Sequence, residues 1–332
     1  MPKISLAIEL GTSYTSVFLS GHGIVLREPS VVAYSDRTVR AVGQRAKEML
    51  GRAPERTIVA CPIVEGVIAD FDAARIMLTQ FLEKVITEKQ FIQKIKIMLV
   101  VPCGLTGDEK TAFEDLLRKC GATETVVIEK AMASAYGLGL PVKTADGCFV
   151  VDIGGGTTDI AAISLLGIVE GCTICIGSGH IDAAIQRHML ENHGLQIGVL
   201  TAEKVKETIG SLYENDISQI EISGTDDATK NPASVTVESR DIAKAIFPYY
   251  RRIAEAVSSV LNLCPPEICA QALKSGIRLA GGGAMITGAE QFFKKALNVP
   301  FTVSPESAFA CISGAGKLLE DDRLVREIIS QN

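Results

Sequence analysis

The chain has 332 residues, 47% of them hydrophobic and 22% charged, with a net charge of −6. That is enough apolar material for a large core and, by length, two domains, which excludes a disordered chain. Aromatic residues at 5%, no tryptophan and no lysine or arginine block exclude a stacked-ring platform and a nucleic-acid partner.

The N-terminal "MPKISLAIELGTS" enters a strand pattern at once and lacks a signal-peptide cleavage region, so a cytoplasmic location is expected. No apolar stretch approaches the roughly 20 residues that span a bilayer. "KISLAIELG" and "TSVFLSG" read as strands joined by "GTSY" into a hairpin. "DAARIMLTQFLEKVITE" is an amphipathic helix, and "IKIMLVVP" a buried strand ended by Pro102. "TGDEKTAFEDLLRKCG" is a helix with Thr106 as N-cap, Glu109 completing a capping box and Gly121 closing it. In "VVIEKAMASAYG" a buried strand runs into a helix of small residues. Glu129 and Lys130 stand at that junction, where α/β proteins place their chemistry. "AAIQRHMLENHG" and "TAEKVKETIGSLY" read as helices, and the polar, turn-rich stretch around 223–233 as a hairpin in a small subdomain. A long helix follows from Asp241, with Pro248 inside it and Pro265-Pro266 as its stop. "GIRLAGGGAMITG" is a strand entering a glycine-rich turn.

Nine cysteines lie mostly in apolar runs and read as buried, reduced thiols. Cys172 and Cys175 in "CTIC" would point to opposite faces of a strand, which argues against a metal pair. His188 and His193 are five apart, a poor spacing for one helix face.

An internal repeat organises the chain. "LAIELGTSYTSVFLS" matches "VVDIGGGTTDIAAIS": Glu9 falls on Asp152, Gly11 on Gly154, Thr15 on Thr158 and Val17 on Ile160, and each segment is followed by "GIV". Two similar halves, each opening with an acid–glycine hairpin, imply duplicated α/β domains facing each other across a cleft. Glycines let backbone N–H groups approach an anion, and Thr12, Ser13, Thr157 and Thr158 add hydroxyl donors. Glu9 and Asp152 can hold Mg²⁺ directly or through its waters while the turns hold phosphates. One "GGG" is equally a tight hairpin. Two copies in register, with a third cluster at Gly281, Gly282 and Gly283, favour a clamp on a polyphosphate.

The segments "IELGTSYTSV", "VVDIGGGTTDI" and "LAGGGAMI" resemble the phosphate and adenosine motifs of the actin, heat-shock chaperone and sugar kinase superfamily. Within it, "GHGIVLREPSVVA", "GVIADFDAARIML", "TAEKVKETIG", "CPPEI" and "GAGKLLED" resemble the bacterial cell-shape family MreB, over nearly the whole chain. The resemblance implies an α/β actin-like ATPase fold: duplicated ribonuclease-H-like domains in four subdomains around a cleft holding ATP and Mg²⁺. It implies a first domain over 1–140 with a small subdomain at about 31–65. The second would cover 141–332, with a small subdomain at about 183–238 and a C-terminal helix at about 310–330 returning to the first. By resemblance Gly11, Thr12 and Ser13 meet phosphates from one side, and Gly154, Gly155, Gly156 and Thr157 from the other. Gly281, Gly282 and Gly283 pack along the adenosine, with Glu203 and Lys206 at base and ribose. Spacing alone would make Glu203 and Lys206 a solvated i,i+3 ion pair. "GSGHIDAAI" fits either a ribose contact or a helix cap.

Two departures bear on catalysis. MreB-like proteins usually read Ile-Glu-Glu-Pro-Met-Ala before the second hairpin, and this chain reads "IEKAMA". The family's catalytic glutamate thus falls at Lys130, leaving Glu129 and Asp152 as the nearby acids. An ammonium cannot take a proton from water, so slow hydrolysis and retained ATP are expected. Glu9 stands where the family has Asp, which shifts a Mg²⁺ contact by one methylene. The resemblance further implies homopolymeric filaments beneath the membrane that organise cell-wall synthesis proteins. Membrane contact is expected through Phe91 and Ile92, with Lys84, Lys89, Lys94 and Lys96 attracting anionic lipid. The competing readings are a chaperone-type ATPase, against which the chain's end at Asn332 leaves no substrate-binding domain, and a small-molecule kinase, for which no spare carboxylate base stands in a matching motif.

Overall fold

The computed structural model describes residues 3–35, 38–86, 94–213 and 215–331. Its two largest sheets have five strands each and the same topology. The first runs in the order Gly23–Pro29, Tyr14–Leu19, Lys3–Leu10, Lys94–Val101, Glu124–Glu129. The second runs Gly167–Ile174, Thr158–Ser164, Cys148–Ile153, Ile277–Ala280, Phe301–Val303. Each joins a three-stranded antiparallel meander to two parallel strands. The sequence repeat is therefore a repeat of structure, and its two hairpins carry the central strand of each sheet. Covered on both faces, central strands need continuous apolar runs, as Val150, Val151 and Ile153 provide, all fully buried.

Two three-stranded sheets lie in smaller units, one built from Val32–Ser35, Thr38–Val42 and Ile58–Ala60. The other comprises Leu195–Gln196, Gln219–Asp226 and Pro232–Glu238, and contains the hairpin expected of the polar stretch. Thr106 closes its capping box: Glu109 N–H donates to Thr106 Oγ1 at 3.3 Å and Thr106 N–H to Glu109 Oε2 at 2.8 Å. Helix Ser239–Leu263 keeps Pro248 inside, and the next helix starts with Pro266 at its first position, where the missing N–H is no loss.

Helices Lys130–Gly137 and Ala310–Leu319 join the two halves. The first packs on the central hairpin of the second sheet, while Ala310–Leu319 packs on Lys3–Leu10 and Tyr14–Leu19 of the first. Small residues let them touch backbone to backbone. A Cβ on Gly314 would stand 1.8 Å from Ala133 O, and one on Gly137 1.9 Å from Ala310 O. This crossing lies within a core that both sheets share, including Ala7, Val150, Ala131 and Ala315.

Phe91, Ile92 and Lys89 lie outside the described residues. Lys96 does not take the lipid-facing place expected of it. It is 6% exposed, cross-strand from Glu124, and its Nζ lies 2.5 Å from Asp322. Lys84 is engaged with Glu28 at 2.7 Å. Among the described residues, no helix is long and apolar enough to cross a membrane.

Candidate functional site

The two repeated hairpins end in facing turns. Gly11 N–H donates to Tyr14 O at 3.1 Å, and Gly154 N–H to Thr157 O at 2.8 Å, closing each turn. A Cβ on Gly155 would stand 2.1 Å from Ser13 Oγ, and one on Gly156 2.4 Å from Thr12 Oγ1. The glycines of one hairpin thus admit the hydroxyl residues of the other. Beside them opens a cavity of about 600 Å³, a size that suits a small-molecule ligand. Its lining includes Glu9, Gly11, Thr12, Ser13, Lys130, Asp152, Gly154, Gly155, Gly156, Thr157, Glu203, Lys206, Gly281, Gly282 and Gly283. Glu129 is the exception. It stands at the N-cap position before Lys130 without a side-chain capping bond, and it does not line the cavity, because consecutive residues at that junction point in different directions.

The floor of the cavity follows from hairpin register. Asp152 and Asp159 are direct cross-strand partners, so both side chains leave the same face of the sheet. Both are buried, at 1% and 0% exposure. Two carboxylates so placed repel unless a cation joins them. Lys130 supplies it, its Nζ 2.8 Å from Asp152 Oδ1 and 3.6 Å from Asp159 Oδ2. Burial opposes the charge on Lys130, but Asp152, Asp159 and Glu9 outweigh it and hold the ammonium well above its ordinary pKa. Asp159 is further fixed by Cys103 N–H at 3.0 Å and by the hydroxyls of Thr173 and Thr157 at 2.6 and 3.2 Å. Ser134 Oγ donates to Asp152 Oδ2 at 2.5 Å. Glu9 completes the corner. Burial pushes its carboxyl up to about 7, with Asp152 adding to the effect and Lys130 and Arg27 offsetting part of it.

Asp152 Oδ1 is buried without a hydrogen bond and faces the ammonium only as an ion pair. Asp152 and Glu9 are the carboxylates at this corner that could hold a Mg²⁺ ion, which would compete with the Lys130 ammonium for Asp152 Oδ1.

At the third cluster, glycine is demanded largely by packing. Gly281 has φ +81°, and a Cβ there would lie 2.3 Å from Ile153 O. One on Gly283 would lie 2.3 Å from Ile153 Cγ2, while Gly282 meets nothing and opens into the cavity. Tyr250 OH donates to Gly283 O at 2.5 Å and anchors the turn. Glu203 and Lys206 do not pair with each other. Lys206 Nζ lies 2.8 Å from Asp182 Oδ1, and burial pushes Asp182 up to about 6 despite that partner. Glu203 pairs with Lys47, from the other small unit, at 2.6 Å. Asp159 and Lys47 went unnoticed in the sequence. The register of the hairpin around "GGGT" could have exposed Asp159, whereas no local signal points to Lys47.

The family model for MreB/Mbl protein matches residues 3–327. The cell shape-determining protein MreB of Escherichia coli K12 is 38% identical over 322 residues, 95% of this chain and 93% of that one. The chain belongs to the MreB/Mbl family. Mbl of Bacillus subtilis, another cell shape-determining member, is 33% identical over 98% of both chains. MreB5 of Spiroplasma citri, solved bound to AMPPNP, superposes with a TM-score of 0.92 at 29% identity over 99% of both chains. A MamK double helical filament matches at 0.82 and 24% identity, covering 96% of this chain and 99% of that one, which speaks to fold alone. The fold is the actin-like one expected of MreB/Mbl proteins.

Proposed function

We propose that this MreB/Mbl protein binds ATP in the cleft between two domains that divide near residue 140, and polymerises into filaments that organise cell shape. The observation that carries the reading is the pair of facing glycine hairpins beside a cavity of about 600 Å³. Two turns rich in free N–H groups and hydroxyls suit a chain of phosphates. Gly282 leaves the third cluster open for a nucleoside, and Glu203 and Lys206 are the polar groups nearest to base and ribose. Mg²⁺ supplies counter-charge to the phosphates when bound, with Glu9 and Asp152 as the acids that reach it. That solved MreB5 holds AMPPNP and ADP supports the nucleotide part of this reading.

Hydrolysis in this reading is slow. Lys130 occupies the catalytic corner as an ammonium tied to two aspartates, so it neither accepts a proton nor orients water as a carboxylate does. It retains the triphosphate instead. Cell-wall synthesis proteins and a membrane surface met by Phe91 and Ile92, at the inner face of the membrane, complete the proposal as partners expected of the family.

The test pairs electron microscopy of purified protein with ATP against single-turnover phosphate release at saturating ATP and Mg²⁺. Filaments with slow release are expected. Lys130→Glu alone would set a third acid beside Asp152 and Asp159, so it is best combined with Asp159→Asn. Monomers under every nucleotide and salt condition would remove the filament reading. Release as fast in the parent as in MreB relatives that carry the glutamate would remove the role of Lys130.

A further inference from the structure

Two of the four histidines in the chain meet at one carboxylate oxygen outside the lining of the cleft cavity. His188 Nε2 lies 3.1 Å and His193 Nε2 2.7 Å from Asp241 Oδ2. A separation of five residues makes them a poor pair for one helix face. They converge because His193 is the last residue of helix Ser178–His193, and Asp241 approaches from the first turn of Ser239–Leu263. We propose that His188, His193 and Asp241 form a binding site for a late first-row divalent cation of the Zn²⁺ class.

The donor set is the first reason. Two imidazoles and one carboxylate are ligands for Zn²⁺ or its neighbours in the series, not for Mg²⁺ or Ca²⁺, which take oxygen. The geometry is the second. Bonds of roughly 2.0–2.1 Å in a tetrahedral site set neighbouring ligand atoms about 3.3 Å apart. The three candidate atoms lie within 4.8 Å of one another, and the separations of 3.1 and 2.7 Å from Asp241 Oδ2 fall about 0.2 and about 0.6 Å short of that tetrahedral spacing. A cation between them needs the imidazoles and Asp241 to draw apart by those amounts, which the part-exposed His193 and Asp241 allow.

The support around the ligands is the third reason. Asn192 sits at His188 Nδ1, 3.1 Å away. Its amide nitrogen also donates to His188 O at 3.2 Å, and in this orientation the ring proton sits on Nε2, toward Asp241. Turning the amide gives up the bond to His188 O but presents its oxygen to the ring, moves the proton to Nδ1 and frees the Nε2 lone pair for a metal. That is the partner a ligating histidine normally has. Lys244 Nζ is 2.9 Å from the other oxygen, Asp241 Oδ1, and is 71% exposed, so it can withdraw to solvent. His188 is buried while His193 and Asp241 are part-exposed, giving a fixed ligand and an entry side.

A bound cation would tie together the two ends of the segment that carries helix Val199–Ile209, and with it Glu203 and Lys206. Closing a loop of that length removes freedom from the unfolded chain. The site would therefore fasten the small unit that borders the cleft.

The experiment uses the full chain, stripped with chelator and free of nucleotide. Co²⁺ is titrated in by visible absorption, with Zn²⁺ displacement following. One equivalent should bind with the d–d bands of a low-coordinate nitrogen and oxygen site, and Zn²⁺ should raise the unfolding temperature. His193→Ala, at a helix end, should lose at least 100-fold in affinity and all of the Zn²⁺ stabilisation, and Asn192→Ala about 10–100-fold. The exposed thiols of Cys61 and Cys175 are separate candidates, so a Cys61→Ser, Cys175→Ser variant must keep the site. The absence of stoichiometric binding in the parent overturns the proposal. So does parent-like affinity in His193→Ala, or loss of binding in the cysteine variant.

Discussion

Removing the charge of Lys130 should unfold the cleft from its floor. Lys130→Gln leaves Asp152 and Asp159, cross-strand partners at 1% and 0% exposure, with no cation between them. With an effective dielectric constant of about 20, contacts of 2.8 and 3.6 Å correspond to gross attractions of about 6 and about 5 kcal/mol. Desolvating three charged groups costs several kcal/mol each and absorbs most of that gain. What the variant feels is the uncompensated charge left behind, about 3–5 kcal/mol for a buried pair broken on one side. Urea denaturation of nucleotide-free protein, followed by circular dichroism at neutral pH, measures the loss. Adding Asp159→Asn to Lys130→Gln should recover a large part of it, because only one acid then remains without a counter-ion. A loss below about 1 kcal/mol, or no recovery in the double variant, would refute the idea that register forces this lysine on the site.

Gly155→Ala should weaken ATP binding at least tenfold, since its Cβ would stand 2.1 Å from Ser13 Oγ and force the hairpins apart; calorimetry showing unchanged affinity would put the nucleotide elsewhere. Lys47→Ala breaks the bridge to Glu203 that links the two small units, a part-exposed pair worth up to about 1 kcal/mol. Nucleotide dissociation followed by stopped flow should accelerate about fivefold, and an unchanged rate would show that the pair does not hold the cleft. Burial pushes Glu9 from 4.5 up to about 7, so its ionised form weakens the fold progressively as pH rises between those values. Glu9→Gln should stabilise nucleotide-free protein at pH 8 by up to about 3 kcal/mol and leave it unchanged at pH 4; equal thermal shifts at both pH values would reject the assignment.

The sequence by itself determined the repeat, the hairpins and most of the cavity lining. These are local properties. A glycine turn after a strand, a capping box at Thr106 and a helix of small residues after Val126–Ile128 follow from φ/ψ limits and side-chain period, which act over a few residues. Family resemblance then supplied the architecture that local pattern cannot. Only the tertiary structure decided which charges meet. Lys130 read as an isolated departure from a motif until the fold set it against Asp152 and Asp159. Lys96 read as a surface charge until cross-strand Glu124 and Asp322 enclosed it, and Glu203 as half of a helical pair until Lys47 reached it from the other small unit. His188 and His193 looked mismatched because helical spacing says nothing about a third residue arriving from another helix. Side-chain period fixes the face on which a residue stands, but its partner comes from an element tens or hundreds of residues away, and packing alone selects that element.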